Sequence, residues 1–344
     1  MKKSLVLKCI IFVIIGILVA YPILRVFGVS NEYSEHAEMM INGYYESKED
    51  SADVVIVGNS HVYRYFQCAF AWKECGLAAN SWSTSDLPFG AIRNVVIEAL
   101  KTQSPKVVII DATVFANKKD VTNNKIYLLT QNMHISKNYF EMIENYCDYS
   151  NVKWTDKLQY YFPVIQFHDR WNDISIDDFE QTMPSYLNSC YQEKFLTSVY
   201  TGEEHVYTDM TDPIAPQSEK ALRDMLEWCK QQDDVEFLFF VAPVLEREER
   251  QGRFNLTCDI IEENGFKVIN FNDKEWYEPL DLDDSTDYQD INHTNIKGSY
   301  KFTKYFANYL MEEYDIPDRR NEEDYASWNE ASDKYYDIVG DYIK

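Results

Sequence analysis

Residues 53–61 read Asp53-Val54-Val55-Ile56-Val57-Gly58-Asn59-Ser60-His61, and residues 290–298 read Asp290-Ile291-Asn292-His293-Thr294-Asn295-Ile296-Lys297-Gly298. The first stretch is a continuous β-branched run that stops at a glycine and delivers a serine. Such a run is expected of a strand buried on both faces. The second places an aspartate and a histidine three residues apart, ahead of a helix. A serine hydroxyl is a weak nucleophile until a base takes its proton, and the base needs a third group to fix its tautomer. Ser60, His293 and Asp290 are those three parts. Taken alone, Gly58-Asn59-Ser60 also reads as an ordinary turn with Ser60 capping the next helix, and the distant Asp-x-x-His is what favours chemistry.

Outward from these motifs, strands alternate with helices. Helical spacing covers 61–75 and Gly76 ends it. A short strand is expected at 77–80, then a helix from Pro88 to Lys101, and a third strand at 106–111. After residue 215, a helix at 217–232, a strand at 235–242, a helix at 246–264 and a strand at 266–271 follow. A closing helix at 296–314 carries Tyr300, Phe302, Tyr305, Phe306, Tyr309 and Leu310 toward one side. This alternation predicts an α/β fold, a three-layer α/β/α sandwich on a parallel sheet of about five strands. Ligands of such sheets bind beyond the carboxyl ends of the strands, which is where Ser60 falls. Residues 117–215 break the rhythm and read as a largely helical insertion over one end of the sheet.

The two motifs, in this order and on these elements, resemble the SGNH (GDSL-like) hydrolase superfamily. Ser60 followed by His61, behind an N-terminal apolar segment, resembles its membrane-anchored bacterial branch, which includes the D-alanine-transfer protein of teichoic-acid modification and alginate O-acetylation proteins. The resemblance spans about residues 51–314. It implies that Asp290 orients His293, that His293 deprotonates Ser60, and that an acyl-enzyme forms without metal or cofactor. It implies an oxyanion hole from the Ser60 N–H and a second block, aligned best with Asn80-Ser81-Trp82-Ser83-Thr84. Ser83 N–H is the candidate donor there and Asn80 a candidate substrate contact. Asn117 falls late for the third-block donor. Asp283, Asp284 and Asp287 compete for the orienting role. Arg170 and Trp171 are candidate substrate-binding residues; the alternative is that Arg170 pairs with Asp173 or Asp177.

The chain has 344 residues, a formal charge of −24 and 45% hydrophobic residues. The acidic balance argues against nucleic acid as a partner. Residues 4–28 are expected to anchor the chain. The apolar run 9–24, with its flanks, reaches the roughly 20 residues a spanning helix needs. Lys2, Lys3 and Lys8 precede it, so the N-terminus is expected in the cytoplasm and the domain outside. A cleaved signal peptide is the competing reading. Residues 29–50 read as a spacer, 51–316 as the domain, and 317–344 as an acidic tail. Seven cysteines include no C-x-x-C pair, and free buried thiols are favoured.

The implied activity is acyl-ester hydrolysis or O-acyl transfer on an envelope polysaccharide or teichoic acid, with a membrane-bound O-acyltransferase as a possible partner. The rival expectation is a non-catalytic accessory or polymer-binding subunit.

Overall fold

A computed structural model describes residues 2–26, 28, 31–119, 124–174 and 183–344. Five parallel strands form the central sheet: β1 Val54–Gly58, β2 Ala79–Ser83, β3 Val107–Asp111, β4 Glu236–Val241 and β5 Lys267–Asn270. Their spatial order is β2-β1-β3-β4-β5. The principal helices are α1 Lys2–Val26, α2 Glu32–Glu46, α3 Ser60–Tyr65, α4 Ile92–Ala99, α5 Lys137–Tyr149, α6 Pro216–Cys229, α7 Glu248–Glu263, α8 Ile296–Glu313 and α9 Ala326–Val339.

Side chains alternate across each strand, and the core divides accordingly. Val55, Val57, Val108, Ile110, Phe239 and Val241 pack with α4 to α7 on one face. Val54, Ile56, Val107, Ile109, Leu238 and Phe240 pack with α3 and α8 on the other. The fold is therefore a three-layer α/β/α sandwich, as the alternation predicts.

Several expectations need correction. The helix anticipated over 61–75 breaks after Tyr65, resuming as Cys68–Phe70 and a π-type turn Ala71–Cys75 that Gly76 closes at φ 81°. The break has a cause. Tyr63 O accepts from Gln67 Nε2, Arg64 O from Thr294 Oγ1, and Tyr65 O from Ser299 and Thr303 hydroxyls. Partners from outside thus take the terminal carbonyls that a longer helix would use. Strand β2 lies at 79–83 rather than 77–80, because its polar residues find partners at the sheet edge.

Residues 29–50 are no spacer: α2 buries Met39, Met40, Ile41 and Tyr44. The segment after 316 belongs to the domain. Arg319 makes a bidentate pair with Asp53 at 2.6 and 2.8 Å, and α9 buries Trp328, Tyr335 and Val339.

The insertion combines α5 with short helical turns, and its last part, 198–215, is irregular. Within it, α5 packs on α4. Asn138 there bonds Asn94 O and Glu98 at 2.8 and 2.7 Å. Cys68, Cys75, Cys147, Cys190, Cys229 and Cys258 are buried free thiols. The described side chains of α1 run from Leu5 to Gly16 with Leu18 and Val19, and most are exposed. Among the described residues no helix is long and apolar enough to cross a membrane.

Candidate active site

Strand β1 ends at Gly58, where β3 approaches closely. A Cβ at Gly58 would stand 2.3 Å from the Asp111 Cβ, so only glycine fits. Asn59 caps α3, its Oδ1 accepting the His61 N–H at 2.8 Å. Ser60 is the first residue of that helix, so its N–H has no carbonyl partner within it.

Asp290 and His293 face each other across an antiparallel pairing of β6 Tyr288–Asp290 and β7 His293–Thr294. The Asp-x-x-His spacing is thus a two-residue turn whose flanking side chains meet. Three bonds fix this turn to the sheet. Leu245 N–H donates to Ile291 O at 2.9 Å, the Tyr65 hydroxyl to Asn292 O at 2.9 Å, and Thr294 Oγ1 to Arg64 O at 2.7 Å. Gly298 then lets α8 pass the Asp287 carbonyl, 2.3 Å from where a Cβ would stand.

Ser60 Oγ lies 2.8 Å from His293 Nε2. His293 Nδ1 lies 2.9 and 3.0 Å from the two oxygens of Asp290. A carboxylate only accepts, so Nδ1 carries the proton and Nε2 offers its lone pair to the serine hydroxyl. Burial alone would raise Asp290. The His293 contact, the Asn292 N–H and the Gln289 amide outweigh it and hold Asp290 well below the usual carboxylate range. Asp287 is instead committed to Lys301 at 2.7 Å, Asp284 to His205 N–H, and Asp283 to Ser285. The carboxylate that meets His293 is therefore Asp290.

A second histidine adjoins this triad. His61 is buried, its ring centroid 5.5 Å from that of His293. Its Nδ1 lies 2.7 Å from Thr113 Oγ1, and Thr113 Oγ1 lies 2.6 Å from Asp111 Oδ1. Thr113 has one hydroxyl hydrogen, which the carboxylate takes. It therefore accepts from His61 Nδ1–H, leaving Nε2 as an acceptor. Burial, then the His293 and Arg250 charges, push His61 well below its ordinary value. The 3.8 Å approach of Asp111 to His61 is accordingly no ion pair. Burial raises Asp111 to about 6. Asp111 also accepts the N–H groups of Asn59 and Thr113, so β3 holds the turn that carries Ser60.

Sequence reasoning missed Asp111, Thr113, Tyr65 and Arg250. Arg250 Nη1 bonds Asn292 Oδ1 at 2.8 Å and Glu246 Oε1 at 2.5 Å, placing a guanidinium beside the His293 turn. Nothing in the pattern of α7 distinguishes it from a surface cation.

Several of the expected contacts are not assembled here. Thr84 N–H donates to Gly58 O at 3.3 Å. Alternate residues of a strand point their N–H groups in opposite directions, so the Ser83 N–H turns away from β1. Asn80 is buried, its amide bonded to Ser47 and its carbonyl to Asn188. Asn117 binds Val114 O and Ser218 Oγ. Arg170 donates to Gly28 O, and Trp171 is exposed. Asp177 lies outside the described residues. Of the expected oxyanion donors, the Ser60 N–H remains. Among the described residues no cluster of three or more His, Cys, Asp or Glu side chains is arranged to hold a metal.

Compared with known proteins, the chain matches no protein-family model and shows no significant similarity to any curated protein.

Proposed function

We propose that this chain is a serine acyl-ester hydrolase or O-acyltransferase of the SGNH type, acting outside the cytoplasmic membrane on an envelope polysaccharide or teichoic acid. The observation that carries the reading is the continuous chain Ser60 Oγ, His293 Nε2, His293 Nδ1, Asp290, placed beyond the carboxyl end of β1. Ser60 Oγ forms a bond to the acyl carbonyl carbon while its proton passes to His293 Nε2. The oxyanion so formed meets the Ser60 N–H. The C–O bond to the leaving alcohol breaks, and that alcohol takes the proton from His293. Water or a sugar hydroxyl then repeats the sequence on the acyl-enzyme. Asp290 stays ionised throughout and stabilises the imidazolium.

Residues 4–28 are the proposed membrane anchor. The lysines before the apolar run support that orientation, and the exposed apolar side chains of α1 suit an apolar surrounding. A membrane-bound O-acyltransferase is the proposed source of acyl groups.

A second reading, a non-catalytic accessory subunit, is favoured by one observation: Ser83, Asn80 and Asn117 are turned or tied away from the oxyanion. Losing one such donor typically costs about 10²–10³ in kcat. Turnover of a chromogenic acetyl ester by the purified full chain, lost in Ser60→Ala, supports the enzyme. Turnover equal to that of Ser60→Ala supports the accessory.

A further inference from the structure

The orientation of α2 decides which edge of the sheet the N-terminal helix leaves from. The end of α2 lies at the amino edge of the strands. There Ser47 Oγ accepts from Asn80, early in β2, and Asp50 N–H donates to Thr102 O ahead of β3. The start of α2 lies at the carboxyl edge. The His36 ring is 4.1 Å from the Tyr63 ring on α3. Lys125 stands 4.2 Å from the Tyr33 ring centroid and 2.9 Å from Ser85 Oγ, just beyond β2. Residues 31–36 thus share the edge that carries Ser60.

The insertion returns to the same place. Phe167 meets Tyr127 edge-on at 5.7 Å, and Arg170 donates to the carbonyl of Gly28, at the foot of α1. The insertion also exposes large apolar side chains on its short helical turns, and Trp171 directly follows Arg170. Trp154 and Trp171 are 83% and 65% exposed, and Leu158, Phe162 and Ile165 are about half exposed. Apolar side chains clustered on a surface mark a contact. Tryptophan favours the membrane–water interface, where its ring is apolar and its N–H stays wet.

We propose that the catalytic edge of the domain faces the lipid bilayer, with Trp154, Leu158, Phe162, Ile165 and Trp171 resting on its surface. This rests on the reading of residues 4–28 as a membrane anchor. Lipid is the occupant because Trp171 directly follows Arg170, which reaches Gly28 at the end of the apolar helix α1. The contact is apolar rather than electrostatic, since a net charge of −24 is not drawn to anionic headgroups. The ester that Ser60 meets is then one presented at the membrane surface.

The test uses the full chain in zwitterionic phosphatidylcholine vesicles, with and without bromine on the shallow carbons of the acyl chains. Flotation reports attachment, and bromine quenching reports which tryptophans touch lipid. The chain has seven tryptophans, and Trp72 and Trp82 are fully buried. Bromine should remove part of the emission of the wild type. In Trp154→Phe/Trp171→Phe that loss should fall to the level seen without bromine, with flotation unchanged. Both side chains are exposed, so the variant should fold. Flotation with the same quenching in wild type and variant, as when the patch serves a protein partner, overturns the proposal and leaves the anchor standing. Failure of the wild type to float overturns the anchor reading and this proposal with it.

Discussion

Ser60 Oγ and His293 Nε2, 233 residues apart in the chain, lie 2.8 Å from each other. The contact exists because α3 and α8 are tied together by hydroxyls. Thr294, Ser299 and Thr303 all donate to the last carbonyls of α3. The bonds that end the nucleophile's helix are the same bonds that seat the base.

If the three side chains act as one unit, their losses should not add. Ser60→Ala and His293→Ala should each lower kcat for an ester substrate by about 10⁴–10⁶, with the double variant scarcely worse. Asp290→Asn disturbs the tautomer but leaves nucleophile and base in place, so a loss of about 10²–10⁴ is expected. Steady-state kinetics on the four variants measure this. Independent, multiplying losses would dissolve the unit.

Thr113→Val removes the hydroxyl between His61 and Asp111 while keeping the shape. It leaves the His61 Nδ1–H without its acceptor and Asp111 without its shortest donor. A destabilisation of about 1–3 kcal/mol is expected, read as a lower urea midpoint with an unchanged slope. Because Asp111 also holds the Asn59 N–H, kcat should fall with it. An unchanged midpoint would mean that the network carries no load.

Acid should destabilise the protein partly through buried neutral histidines. Burial, with the Arg64 charge, lowers His36 from 6.5 to about 3, and neither of its ring nitrogens has a hydrogen-bond partner. A histidine depressed in the folded state binds its proton first in the unfolded chain. Its contribution is present above 6.5 and is lost as pH falls toward 3, at up to about 1.4 kcal/mol per pH unit. His61 acts in the same direction. Asp111, raised to about 6, opposes them: its contribution is present below 3.8 and is lost as pH rises through 6. His36→Phe should therefore flatten the decline in stability between pH 6 and 4. An equally steep decline in the variant would assign the acid sensitivity elsewhere.

The C-terminal segment should behave as part of the domain. Arg319→Ala leaves the Asp53 carboxylate without its bidentate partner at the start of β1. A loss of about 1–3 kcal/mol is expected. Removing 317–344 should cost more, since it uncovers Trp72, which stacks on Tyr325 at 5.3 Å. Limited proteolysis checks this: the tail should resist cleavage in the intact chain.

The parts of this fold that the sequence made legible are those whose burial is uniform. β1, β3, β4 and β5 are apolar runs, and strands covered on both faces must be. β2 was misplaced because Asn80-Ser81-Trp82-Ser83 looks like a loop. Its polar groups are answered by Ser47 and by Asn188, which binds Ser81 O at 2.9 Å across more than a hundred residues. The first half of α2 is charged enough to hide Met39, Met40 and Ile41.

At the site, Asp290 and His293 were legible because one two-residue turn fixes their geometry. His61, Thr113 and Asp111 were not, since β1 and β3 bring them together only after the sheet forms. Ser83 was misread because alignment places a residue but not the direction of its N–H. Arg170 and Trp171 were weighed as a substrate edge against a structural clamp, and Arg170 reaches the Gly28 carbonyl at the foot of α1.

The site works as proposed if His293 makes Ser60 a nucleophile. Treating the folded full chain with a fluorophosphonate and locating the adduct by mass spectrometry tests it most directly. One phosphonyl group is expected on the peptide containing Ser60, none there in Ser60→Ala, and labelling slowed by orders of magnitude in His293→Ala. An unlabelled wild type, or labelling that is as fast without His293, would contradict it.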